Sequence, residues 1–199
     1  MSVPPQTCTP SIELVRPSLA TLPRYVRALR EGWSPDNVGG KATADRQLAW
    51  IAEDAAAFVV SLHDSEGRGA AIVLPDGTTA KRLPGYVLWI WDGDFSGSIS
   101  LRWQPGVSEL PDYVLGHVGY SVVPRKRGTG YATQALRLLL PQARAVGLAW
   151  VELTTTPENT ASQKVILSNG GRFMGRFRKP QAYGGDEAVR FRIALDTDD

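Results

Sequence analysis

The sequence predicts an α+β fold. Its central sheet is mixed and mostly antiparallel, carries one parallel strand–helix–strand unit and is flanked by helices. Two observations predict it. From Val114 to Thr155 a strand, a glycine-containing turn, a helix and a second strand follow one another, an order that makes a right-handed crossover. Before them, two apolar and aromatic runs, Tyr86 to Trp91 and Phe95 to Trp103, flank Asp92-Gly93-Asp94, a strong hairpin signal.

The elements follow in chain order. Residues 1–10 read as a flexible tail and 11–197 as a single domain. Ile12 to Arg16 is a short strand broken by Pro17. Leu19 to Gly32 is an amphipathic helix, with Leu22, Tyr25, Val26 and Leu29 at helical spacing. Ser34 to Thr43 is loop, rich in Pro, Gly, Asn and Asp. Ala44 to Leu62 reads as one helix, with Leu48, Ile51, Ala52 and Ala55 on a face. His63 to Pro84 is turn-rich, with Val73 and Leu74 in a short strand and a hairpin tip at Asp76-Gly77.

The aromatic hairpin comes next, then a loop from Pro105 to Asp112, then the strand Val114 to Val123. The helix from Tyr131 to about Val146 carries Ala132, Ala135, Leu136, Leu139, Ala143 and Val146 as an apolar stripe; Pro141 lies off it and predicts a kink. Ala149 to Thr155 is the second strand of the unit. Thr160 to Ser168 is a helix ended by Asn169-Gly170, and Arg172 to Arg178 and Ala188 to Leu195 are the last strands.

Composition narrows the function. The chain has 199 residues, 43% of them apolar and 21% charged, in the globular range. Its net charge of +2 gives no footing for nucleic acid, and the one tight basic cluster is the turn at Arg125 to Arg127. Cys8 is the single cysteine, so no intramolecular disulfide forms. No signal peptide and no membrane-length apolar run is visible, which makes the cytoplasm the expected location.

The turn Arg125-Lys126-Arg127-Gly128-Thr129-Gly130 is where chemistry concentrates. Gly128 and Gly130 let backbone approach an anion, and the helix behind them opens with unpaired N–H groups and a positive dipole end, a site for phosphate. It is not the nucleotide-triphosphatase loop, because Tyr131 follows Gly130. Nor is it the dinucleotide fingerprint, because Thr133 takes the place of the third glycine. It fits Arg/Gln-x-x-Gly-x-Gly/Ala through Arg125, Gly128 and Gly130. Gly119-Tyr120 precedes it, Tyr131-Ala132-Thr133 opens the helix, Asn159-Thr160-Ala161-Ser162 follows the second strand and Asn169-Gly170-Gly171 closes the next helix. In this ordered set, over roughly a third of the chain, the sequence resembles the GNAT family of N-acetyltransferases.

The resemblance implies acetyl-CoA as co-substrate, no metal, and a primary amine on a small-molecule or peptide acceptor. The alternative is a non-catalytic acyl-CoA-binding or sensing module on the same fold. A homodimer is compatible with either. By the resemblance, Arg125, Arg127, Gly128, Thr129, Gly130, Tyr131 and Ala132 hold the pyrophosphate. Val122 and Val123 pair with the pantetheine arm, a bulge in their strand exposes an N–H to the thioester carbonyl, and Asn159 and Ser162 face the arm. Asn159 also reads as a helix cap.

Many relatives carry a tyrosine acid where this chain has Ile166, so the usual acid is missing, and Tyr183 is a candidate substitute. His117 stands where relatives often have a glutamate base. Strand alternation puts it on a face with Gly119 and Ser121, which makes it the candidate general base, with water and Glu152 as alternatives. A structural histidine is the competing reading. Trp89, Trp91 and Trp103 read either as core or as walls of an acceptor pocket.

Overall fold

The fold, taken from a computed structural model, describes residues 11–36, 39–74 and 77–195. The first strand, β1 (Glu13–Val15), leads to helix α1 (Leu22–Arg30). Where one helix was expected over residues 44–62, two form: α2 (Gly40–Glu53) and α3 (Ala55–Ser61). Asp54 divides them. Its backbone is extended at φ −150° and ψ 92°, and its carboxylate accepts the Ala57 N–H at 2.8 Å as a cap.

Short strands β2 (His63–Asp64), β3 (Ile72–Val73) and β4 (Thr79–Ala80) follow. Leu74 lies outside β3, and the expected turn residue Asp76 lies outside the described residues. The aromatic hairpin is present as β5 (Gly85–Trp91) and β6 (Phe95–Arg102). The strand before the basic turn, β7 (Val118–Val122), is four residues shorter at its start than expected, because residues 114–116 are irregular and His117 lies in a bend. Helix α4 (Tyr131–Ala145) continues through Pro141. Then come β8 (Trp150–Thr155), α5 (Thr160–Leu167), β9 (Arg172–Arg178) and β10 (Glu187–Ala194).

The strands form two main sheets. One has the order β1-β5-β6-β7, with β2 also on β5, and the other has the order β8-β10-β9; β3 and β4 pair separately. Every ladder among the described residues is antiparallel. The parallel ladder expected between β7 and β8 does not form. Among the described residues the tie between them lies just before β7, where the His117 N–H donates to the Glu152 carbonyl of β8 at 2.8 Å and the Glu152 N–H donates to His117 Nδ1 at 2.9 Å. Beyond that tie the sheet is split.

Helix α4 spans the split. Ala135, Leu136, Leu139 and Ala143 are fully buried, against Ile90, Ile99 and Val122 of one sheet and Val151, Val189 and Ile193 of the other. The apolar stripe faces the core as the period-3.6 pattern requires. The opposite face of the first sheet carries a second core: Leu22, Tyr25 and Leu29 of α1 with Trp33, Phe58, Trp89 and Phe95. Tyr25 stacks on Trp89 with ring centroids 4.9 Å apart, and Trp33 and Phe95 meet edge to face at 4.9 Å. β5 therefore buries both faces, Leu88 and Ile90 on one and Trp89 on the other, which is why its sequence is apolar without alternation. No described helix is long and apolar enough to cross a membrane.

Candidate functional site

The split opens beside the C-terminal end of β7, and the basic turn follows directly. Gly128 (φ 75°) and Gly130 (φ 90°) both take left-handed backbone, and a side-chain carbon at Gly128 would meet no atom within 4 Å. The first backbone bond into α4 runs from the Gln134 N–H to the Gly130 carbonyl at 3.0 Å, so the N–H groups of Tyr131, Ala132 and Thr133 are left over at the helix start. Thr129 Oγ1 donates to the Lys126 carbonyl at 2.8 Å and closes the turn. Ala132 packs on the main core and seats the first turn of the helix on the sheet.

The three cations of the turn are not equivalent. Arg125 is ion-paired with Glu31 at 3.1 Å and with Asp94 at 3.5 Å. Lys126 Nζ donates to Asp92 at 2.6 Å and to Ser96 Oγ at 2.8 Å. Arg127 has no carboxylate partner among the described residues; its Nε donates to the Val122 carbonyl at 3.0 Å, which leaves its terminal nitrogens for a ligand. The hairpin tip that holds Lys126 also holds Tyr131, whose hydroxyl donates to Asp92 at 2.6 Å. Burial alone would raise the Asp92 carboxyl, but hydrogen bonds from Lys126, Tyr131 and Ser96 outweigh it and hold it at about 2. The same bond to Asp92 pushes the Tyr131 phenol up to about 12. Asp92 and Asp94 read in sequence only as turn residues. The signal for more was charge complementarity between an acidic hairpin tip and a basic turn of similar length.

At the end of β7, Val122 and the next residue, Val123, differ. The Val123 N–H donates to the Ser96 carbonyl at 3.0 Å, so it faces β6 and is not available to an arm in the split. Alternation turns the N–H of Val122 the other way, to the open edge. The expected bulge is absent: the β6–β7 register runs without a shift from Gly97↔Val122 to Leu101↔Val118. Across the open edge, Tyr120 Oη lies 2.8 Å from Ser162 Oγ, and burial pushes that phenol up to about 12. This contact brings the start of α5 against β7. Asn159 caps α5, its Oδ1 accepting the Ser162 N–H at 3.0 Å, and its side chain is exposed at the mouth of the split. Ile166 sits in the core behind.

The acid–base candidates fare differently. His117 lies in the bend before β7, not on it. It is wholly buried, its ring packs edge to face on Trp150 at 5.5 Å, and its Nδ1 lone pair is taken by the Glu152 N–H. Desolvation lowers it to about 4, against a raising effect of Glu152 and the Ser108 backbone. A buried ring whose lone pair is engaged is placed as a structural element, not as a base meeting the acceptor. Glu152 is likewise committed, to Arg192 at 2.9 Å and Arg190 at 3.7 Å. Ser121, expected on the same face as His117, donates to the Ser34 carbonyl at 2.8 Å. The Tyr183 hydroxyl donates to the Tyr113 carbonyl at 2.6 Å, which leaves it no proton for a leaving group. Trp89 is buried in the aromatic core, and Trp103 packs on Tyr86 at 5.9 Å, so neither is a pocket wall; Trp91 is half-buried against the α1 side.

Residues 14–172 match the family model described as acetyltransferase (GNAT) domain. No curated protein matches the chain in sequence. Among solved structures, the chain is similar to the ribosomal L7/L12 α-N-protein acetyltransferase RimL in complex with coenzyme A, at 13% identity and TM-score 0.62 over 94% of this chain and 96% of that one. It is similar to the Microcin C7 self immunity acetyltransferase MccE in complex with acetyl-CoA and AMP, at 13% identity and TM-score 0.58 over 92% of each chain. A third likeness is to the Salmonella typhimurium enzyme that modifies the N-terminal serine of L7/L12, at 13% identity and TM-score 0.60 over 96% of this chain and 98% of that one. At these identities the structures speak to the fold. The family model covers most of the chain, and with it the glycine turn, the split sheet and the capped helix beyond; the protein belongs to the GNAT acetyltransferases.

Proposed function

We propose that the protein is an acetyl-CoA-dependent N-acetyltransferase acting on the primary amine of a small-molecule or peptide acceptor. The observation that carries this is the coincidence of two features at one end of β7. The sheet is split there, and the split leads to a turn of left-handed glycines and leftover N–H groups. The pyrophosphate would lie on Gly128, Thr129, Gly130, Tyr131 and Ala132, with Arg127 as its main side-chain cation. Val122, through its outward N–H, is the donor best placed to polarise a thioester carbonyl, and Asn159 and Ser162 would line the arm.

In the reaction, the neutral amine adds to the thioester carbon. The tetrahedral oxyanion collapses, the C–S bond breaks and the thiolate leaves. An ordinary thiol has a pKa of about 8.5, so it departs near neutral pH without a strong acid, and Ile166 in place of a tyrosine is no obstacle. The amine proton goes to solvent water, since His117, Glu152 and Tyr183 are all engaged.

The test is binding followed by turnover. CoA should raise the melting temperature by mass action, and Gly128→Glu should abolish the shift. Arg127→Met should weaken CoA about 5- to 10-fold in a salt-sensitive way, while Arg125→Met, already paired in the free protein, should change it less than about 2-fold. No shift at saturating CoA sinks the phosphate site. Thiol release with a panel of amines then separates an enzyme from a module that binds without turning over.

A further inference from the structure

Several partly buried cations meet carboxylates. Arg125 and Lys126 meet Glu31, Asp92 and Asp94, and Arg190 and Arg192 meet Glu152. Arg102, at the end of β6, is different. The residue is half-buried, and among the described residues its side-chain hydrogen bonds go to neutral oxygens at long range: Nη1 to the Gly116 carbonyl at 3.4 Å and Nη2 to Ser100 Oγ at 3.4 Å. Good N–H···O bonds lie nearer ~2.9 Å, so both contacts are weak. No described carboxylate pairs with it. Ser100 itself donates to the Gly119 carbonyl at 3.3 Å, and the Tyr183 hydroxyl, nearby, is spent on Tyr113.

The strand beside Arg102 places no side chain next to it at Gly119. Gly119 faces the same side of the sheet, and a side-chain carbon there would come 3.4 Å from Ser100 Oγ and 3.8 Å from Arg102 Nη2. Gly119 adds no side chain there, so the space in contact with the guanidinium is not filled from this strand. A charge partly withdrawn from water is costly unless an opposite charge meets it, and a planar fork of N–H groups suits a carboxylate. Gly119 lies three residues before Val122 on β7, a distance along the strand of about 10 Å.

We propose that Arg102 is a specificity-determining residue that binds a carboxylate of the acceptor, so that the amine acetylated belongs to a molecule carrying a carboxylate within about 10 Å of it along an extended chain. This rests on the acetyl-transfer reading for the amine, but the anion subsite has a test of its own. The probes are ω-amino acids of graded length, from β-alanine to ε-aminocaproate, each against its own amide, assayed by thiol release from acetyl-CoA. The acids should be favoured over their amides by about 30-fold in kcat/KM, mostly through KM. Arg102→Gln should bring that ratio close to one with the CoA-induced thermal shift unchanged. Gly119→Val, which keeps the arginine and fills the space beside it, should do the same. A wild type without the preference, or a preference that survives Arg102→Gln, overturns the proposal. If no amine releases thiol, acetyl transfer is the reading that fails, and binding of the same pairs to CoA-loaded protein decides the subsite: selective, Arg102-dependent binding of the acids sustains it, and equal binding overturns it.

Discussion

At the scale of single residues, His117 shows how burial changes a role. A histidine one residue before a Val-Gly-Tyr strand suits a base on sequence grounds, but here its Nδ1 joins the two half-sheets through the Glu152 N–H. Its folded pKa of about 4 lies below the ordinary 6.5 because desolvation disfavours the cation. The sign follows. Between these values the unfolded chain binds more protons than the folded one, so stability is fully present above about pH 6.5 and falls as pH drops toward 4, by on the order of 3 kcal/mol. Urea midpoints measured from pH 7.5 to 4 should show that slope. His117→Gln, which keeps an acceptor but does not titrate, should flatten it. The same variant should retain most of the turnover and the wild-type acidic limb. A loss of roughly 100-fold in a folded, CoA-binding His117→Gln protein would restore the base assignment.

Elements are where the sequence was most legible. The aromatic hairpin around Asp92-Gly93-Asp94 and the stripe on α4 were both visible because each is a local pattern, set by neighbours within a few residues. The break at Asp54 was missed because the apolar spacing of Leu48, Ile51 and Ala55 continues across it, and periodicity does not report one extended residue. The signal lay in Asp54 itself, an acid three residues before the N–H it caps. Removing that cap should cost about 1 kcal/mol. Asp54→Ala should therefore lower the thermal midpoint by a few degrees, while Asp54→Ser should hold it near wild type. Equal melting of the two variants would show that the α2–α3 corner is set by the packing of Phe58, which is 1% exposed, and not by the cap.

For the whole molecule, what the sequence could not show is how distant segments meet. The glycine turn is contiguous and was read directly, but Lys126 meets Asp92 34 residues away and His117 meets Glu152 35 residues away. Those pairings decide which cation is left for phosphate and which histidine lone pair is consumed. They also make the molecule two half-sheets, stapled at the start of the split and bridged by α4. A donor lying in that split would meet backbone groups that the fold leaves unpaired, which amide hydrogen exchange reads directly. CoA should slow exchange most at Gly128 to Thr133 and at Val122, whose N–H groups face the turn and the open edge. The centre of β10, paired on both sides with β8 and β9, should exchange slowly with or without ligand. The Val123 amide, bonded to Ser96, should be protected in both states as well. Protection confined instead to the groove of about 560 Å³ between α1 and α3, lined by Leu22, Val26 and Ala55, would move the ligand to the other face of the sheet. The split would then be a feature of the fold without a part in binding.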